Sequence, residues 1–163
     1  MIKQVPIALI WGFLGALSIS PSFAQLKPIN IAPEHELCFD KASARYAIDK
    51  RILKAIAQTE SGFKERVVSA PNGNDTVDIG MMQINSSWLP KLRQFGITEK
   101  HLLSACTNIY VGAWILANNF VTHGRTWRAI GAYNSTIPTY QAIYARKVYG
   151  NYALLERAKD TPK

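Results

Sequence analysis

The chain is short of the side chains that most often carry catalysis. Its 163 residues include 3 His, 2 Cys and 11 Asp plus Glu. His35, His101 and His123 are scattered and stand in no HExxH or comparable ligand spacing, so neither metal nor cofactor is expected. None of them gives a cysteine the context of a Cys nucleophile. Internal repeats and low-complexity tracts are also lacking, which excludes a repeat array or a linker protein. After Ala24 no apolar run approaches the roughly 20 residues that span a bilayer.

What remains is enough for one packed domain. Apolar residues make up 48% and charged residues 18%, a balance that supports a core and excludes a largely disordered chain. Lys and Arg outnumber Asp and Glu by 19 to 11, for a net charge of +8. Such a surface suits polyanionic surroundings: nucleic acid, a membrane surface or a cell-wall polymer.

Residues 1–24 read as a secretory signal peptide. Lys3 supplies the positive end, Ile7 to Ile19 the apolar run, and Ser22-Phe23-Ala24 a small-x-small cleavage site after Pro21. Cleavage is expected between Ala24 and Gln25, leaving an exported product without stable membrane insertion. Export argues against a nucleic-acid binder, as do the scattered Lys and Arg. In an oxidising compartment two cysteines most simply pair, Cys38 with Cys106.

Residues 25–37, with Pro28 and Pro33, read as an extended leader. From Cys38 helical periodicity dominates, and the spacing predicts helices near Phe39–Ile48, Lys50–Ser61, Ser87–Phe95, Glu99–Leu103, Asn108–His123, Trp127–Tyr133 and Pro138–Tyr149. Gly62, Gly96, Gly124 and Gly150 follow these runs as helix ends, so the domain is expected over 38–150 with a C-terminal tail at 151–163. Pro71, Asn72-Gly73 and Asn74-Asp75 interrupt the pattern, and a short apolar segment follows. The fold class is therefore mainly α with a small loop or β-hairpin inserted near 67–84.

Glu60 stands out among the few acids. At about 100° per residue it falls between Ile56 and Ala57, inside the apolar arc of its helix. Burial and the helix C-terminus both raise a carboxyl pKa, which is what a general acid needs. A buried Glu paired with an Arg from another helix would leave the same pattern.

The residues around it carry a resemblance. Glu60-Ser61-Gly62-Phe63, Gly80-Met81-Met82-Gln83-Ile84-Asn85 and Ala132-Tyr133-Asn134 resemble, in order, the three signature motifs of the soluble-lytic-transglycosylase family, whose domain is similar to goose lysozyme. The resemblance runs from about Cys38 to Tyr149. Cys38-Phe39, Asp78-Ile79-Gly80, Cys106-Thr107-Asn108-Ile109 and Gly112-Ala113-Trp114-Ile115-Leu116 are similar to the small members that accompany type III and type IV secretion systems and type IV pili. A Cys38–Cys106 pair fits that subgroup. Ser135-Thr136 depart from the Ala-Gly that more often follows the third motif.

The resemblance implies a lysozyme-like fold and a monomeric periplasmic enzyme acting on peptidoglycan between N-acetylmuramic acid and N-acetylglucosamine. Envelope-spanning secretion, conjugation or pilus components are the implied partners. Glu60 would serve as acid and then base, forming a 1,6-anhydro ring. Ser61 would fix the Glu60 carboxylate, Met82 would wall the groove, and Gln83, Tyr133 and Asn134 would contact saccharide. Asp78 reads either as a second carboxylate, as in lysozymes, or as a turn residue. Trp88, Trp114, Trp127, Tyr140 and Tyr144 read mostly as core.

Overall fold

The computed structural model describes residues 31–157. The expected signal peptide and the leader up to residue 30 lie outside them. Seven α-helices and one two-stranded sheet make up the described part: α1 (Pro33–Tyr46), α2 (Lys50–Ser61), β1 (Asp78–Ile79), β2 (Ile84–Asn85), α3 (Leu89–Arg93), α4 (Glu99–Leu102), α5 (Ala105–His123), α6 (Trp127–Gly131) and α7 (Pro138–Arg157). No helix among the described residues is long and apolar enough to cross a membrane.

α5 is the central helix. Ile109, Ala113 and Leu116 are fully buried along one stripe, and Val111, Gly112 and Ile115 bury the neighbouring positions. It packs against α1 and α6, while α2 packs against α7. Cys38 and Cys106 form a disulfide that ties α1 to the first turn of α5, with Cα atoms 5.2 Å apart.

The insertion expected near 67–84 as a loop or small hairpin contains a hairpin, which reaches Asn85. β1 and β2 pair antiparallel with Asp78 opposite Asn85 and Ile79 opposite Ile84, and Val68 bridges to Ile79. Asn108 of α5 holds this hairpin on the core. Its Oδ1 accepts from the Met82 N–H at 2.6 Å, and its Nδ2 donates to the carbonyls of Ile79 and Leu102, both at 2.8 Å. Gly80 makes room for that clamp: its φ is +78°, and a Cβ there would lie 2.2 Å from Asn108 Nδ2.

Both ends depart from expectation. The stretch from Pro33 to Leu37 is helix and not extended leader. Proline at the first helical position lacks only an N–H that would be unpaired anyway, and Glu34 and Glu36 suit the positive end of the dipole. At the other end α7 passes through Gly150 and continues to Arg157, so the expected tail begins inside a helix. Tertiary anchors outweigh the roughly 1 kcal/mol helix cost of glycine. Asn151 donates to Thr59 Oγ1 at 2.9 Å, Arg51 pairs with Glu156 at 2.6 Å, and Tyr152 packs edge-on against Trp127. The predicted Ser87–Phe95 helix is split into a 3-10 turn (Ser86–Trp88) and α3, where Pro90 suits the first turn of a new helix.

Candidate active site

Glu60 lies in the last turn of α2, where the buried Ile56 and Ala57 carry its side chain towards the interior. The helix starts at Asp49, which accepts from the Arg51 N–H at 2.9 Å. No arginine pairs with Glu60 among the described residues. Its partner is Tyr144 of α7, whose hydroxyl donates to Oε1. Burial is the main influence on this carboxyl and raises its pKa to about 7; the nearby Asp78 pushes the same way, while Tyr144 and Lys147 oppose. Near neutral pH the group therefore holds a proton it can give, and can take one back. Burial, reinforced by the Glu60 charge, puts the Tyr133 and Tyr144 phenols well above their ordinary range, so Tyr144 remains a donor.

Glu60 and Asp78 line one groove of about 600 Å³. Asp78 opens β1, and side-chain amides hold both its carboxylate oxygens: Asn85 Nδ2 reaches Oδ1 at 2.8 Å and Asn72 Nδ2 reaches Oδ2 at 3.1 Å. Thr76 joins this group, accepting from Asn85 Nδ2 at 2.9 Å and donating to Asn74 Oδ1 at 2.7 Å. The lining is rich in amides and hydroxyls, with two carboxylates and no cation. That chemistry suits neutral sugars, which need paired donors and acceptors. Among the described residues no cluster of His, Cys, Asp and Glu side chains is arranged to hold a metal.

The three motifs meet here, though not through the contacts the sequence led one to expect. The Ser61 hydroxyl donates to the Met81 carbonyl at 2.7 Å and does not brace the Glu60 carboxylate. Tyr133 donates to the Met82 carbonyl at 2.9 Å. Motifs one and three are thus each tied to the backbone of motif two. Met82 itself is fully buried and does not wall the groove, because its thioether packs against Gly112, where a Cβ would come within 2.6 Å of Sδ. Gln83 lines the groove in a left-handed conformation (φ +48°), and its Nε2 donates to the Gly80 carbonyl at 2.8 Å. Asn134 lines the groove and also a smaller pocket beside it.

Sequence reasoning missed Tyr144, which read as core. Its ring is buried and stacks on Tyr133 with centroids 6.4 Å apart, but its hydroxyl is the direct partner of Glu60. The α7 periodicity shows that Tyr144 faces inward but not what it meets. Asn72 and Asn85 were likewise missed as the holders of Asp78. An Asn in motif two and an Asn-Gly turn marked those positions, without indicating their common target.

A helical body, a small hairpin and a carboxyl of raised pKa in a polar groove define a lysozyme-like domain of the glycosyl-cleaving type. Residues 37–145 match the Transglycosylase SLT domain family, and the chain belongs to it. Protein IpgF of Shigella flexneri is 40% identical over 120 residues, covering 71% of this chain and 78% of the relative. Invasion protein IagB of Salmonella typhimurium is 39% identical over 124 residues, covering 73% and 77%. X polypeptide of Escherichia coli K12 is 34% identical over 129 residues, covering 75% and 76%. Membership of this family makes peptidoglycan the substrate class.

Proposed function

We propose that the protein is a periplasmic lytic transglycosylase that cleaves the β-1,4 bond between N-acetylmuramic acid and N-acetylglucosamine and leaves a 1,6-anhydro ring. The observation that carries this reading is Glu60, a carboxyl with pKa about 7 in a sugar-suited groove, hydrogen-bonded by Tyr144. Glu60 gives its proton to the glycosidic oxygen as the C–O bond breaks, and cationic character develops at the muramic acid C1. The resulting carboxylate takes the proton from that sugar's own C6 hydroxyl, whose oxygen then bonds to C1. Glu60 ends as it began, and no water is consumed. An intramolecular nucleophile also avoids the entropy of recruiting a second molecule.

Asp78 favours a second reading. Its carboxylate lines the same groove and both oxygens are oriented by amides, which suits electrostatic support of the developing cation. It suits equally a hydrolytic muramidase in which Asp78 and Glu60 act together. Mass spectrometry of digested sacculi separates the two: anhydro products lack one water, and ordinary reducing ends alone would remove the transglycosylase reading. Glu60→Gln separates catalysis from a non-catalytic wall-binding role. Turnover should fall by about 10²–10⁴, the usual worth of a general acid.

Local wall opening for a secretion, conjugation or pilus apparatus is the proposed setting. Supporting it are the likeness in sequence to the small envelope-associated members and a relative whose name is an invasion protein. Co-purification from envelope fractions without any such component would count against it.

A further inference from the structure

Glu60 and Asn134 line two spaces, and the second has different chemistry from the first. Beside the main groove lies a pocket of about 300 Å³ to which Thr59, Tyr140, Ile143, Tyr144 and Lys147 also contribute. The groove holds two carboxylates and no cation; the side pocket holds a lysine and exposed apolar and aromatic surface, Tyr140 at 56% and Ile143 at 47%. Lys147 is exposed, and its charge acts on Glu60 across this pocket without a hydrogen bond between them. It stands one turn beyond Ile143 on α7, so both reach the same opening.

We propose that this pocket binds the acidic stem peptide carried by the muramic acid sugar, with Lys147 pairing a peptide carboxylate and Tyr140 and Ile143 covering its apolar stem. This rests on the function proposed above. If Glu60 protonates the oxygen leaving the muramic acid C1, that sugar lies beside Glu60, and its lactyl ether must lead the peptide out of the neutral-sugar groove. The pocket that shares Glu60 and Asn134 is where a cation awaits it. Lys147 is then a specificity-determining residue, selecting peptide-bearing strands over stripped ones.

The test measures binding separately from turnover. In the Glu60→Gln background, which spares the probe, titrate N-acetylglucosaminyl-N-acetylmuramic acid either with its lactyl carboxyl capped as the simple amide or with that carboxyl joined to an L-Ala-D-Glu peptide. The peptide form should bind about tenfold more tightly, the scale of one charge-assisted contact. Adding Lys147→Gln should collapse that ratio towards one, and Lys147→Arg should restore most of it. Equal binding of the two probes in the Glu60→Gln protein would overturn the proposal, as would a ratio that Lys147→Gln leaves intact. Failure of the wild-type enzyme to cleave sacculi would instead reject the proposed activity, and the binding ratio would still decide the pocket.

Discussion

Tyr144, near the middle of α7, donates its hydroxyl hydrogen to Oε1 of Glu60 at the end of α2. The bond favours the ionised carboxylate and opposes the burial that favours the protonated one. Glu60 is thereby held in a range where it can serve as acid and then as base. α2 and α7 are the partners that make this possible, and the same helix pair is fastened by Asn151 to Thr59 and by Arg51 to Glu156.

Tyr144→Phe removes that donor and little else. Glu60 then loses an interaction that favours its charged form, so its pKa rises further. The basic limb of the pH profile of kcat/KM should move to higher pH. A fall of about tenfold in kcat is expected from poorer orientation, below the full worth of a general acid. A profile unchanged in position would show that Tyr144 does not govern Glu60.

Asn108→Ala should cost stability first and activity through it. Three buried backbone groups lose their partner: the Met82 N–H and the carbonyls of Ile79 and Leu102. Each such loss costs about 1–3 kcal/mol, so a total of roughly 3–5 kcal/mol is expected in urea unfolding. The hairpin bearing Asp78 and Gln83 is what the side chain holds, so activity should drop more steeply with urea than in the wild type. A change under about 1 kcal/mol would mean the hairpin is held elsewhere.

How legible these features were depends on how local their causes are. Glu60 could be found because its angle between Ile56 and Ala57 is set within one helix. The break in the helical pattern announced itself through Pro71, Asn72-Gly73 and Asn74-Asp75, turn formers acting over a few residues; they shape the loop that leads into β1, while the β1–β2 turn itself is closed between Gly80 and Gln83. Tyr144 and Asn108 could not be assigned their tasks, since their partners lie 84 and 26 residues away. Gly150 failed as a helix end for a related reason: a local preference of about 1 kcal/mol yielded to contacts made by Asn151, Tyr152 and Glu156. Ser61 and Tyr133 carry hydroxyls for which the sequence suggests roles at the carboxylate and the saccharide; in the fold these hydroxyls tie the first and third motifs to the carbonyls of the second.

The Cys38–Cys106 bond joins α1 to α5 across a sequence separation of 68. Closing so long a loop constrains the unfolded chain and contributes about 4 kcal/mol in the chain-entropy account. The Cys38→Ser/Cys106→Ser protein should therefore unfold at markedly lower urea, with an unchanged helical spectrum in buffer. Dithiothreitol should lower the wild-type midpoint and leave that of the double variant alone. Equal midpoints with and without reductant would remove the bond from the stability of this fold.

Glu60 itself should set a stability difference that grows with pH. Its pKa is about 7 in the folded protein against 4.5 for the free side chain. Between those values the folded state binds more protons than the unfolded state, so stability falls as pH rises. Below 4.5 the group is protonated in both states and the penalty is absent; above about 7 it is ionised in both and the penalty is complete. A shift of this size corresponds to roughly 3 kcal/mol. Glu60→Gln keeps the shape and removes the charge, so it should match the wild type near pH 4 and exceed it by about 2–3 kcal/mol at pH 8, where the wild type carries the full cost of the buried anion. Urea unfolding of both proteins at the two pH values measures this directly. Parallel stability curves would mean that Glu60 is not buried as an anion at all, and its role as an acid poised near neutrality would have to be abandoned.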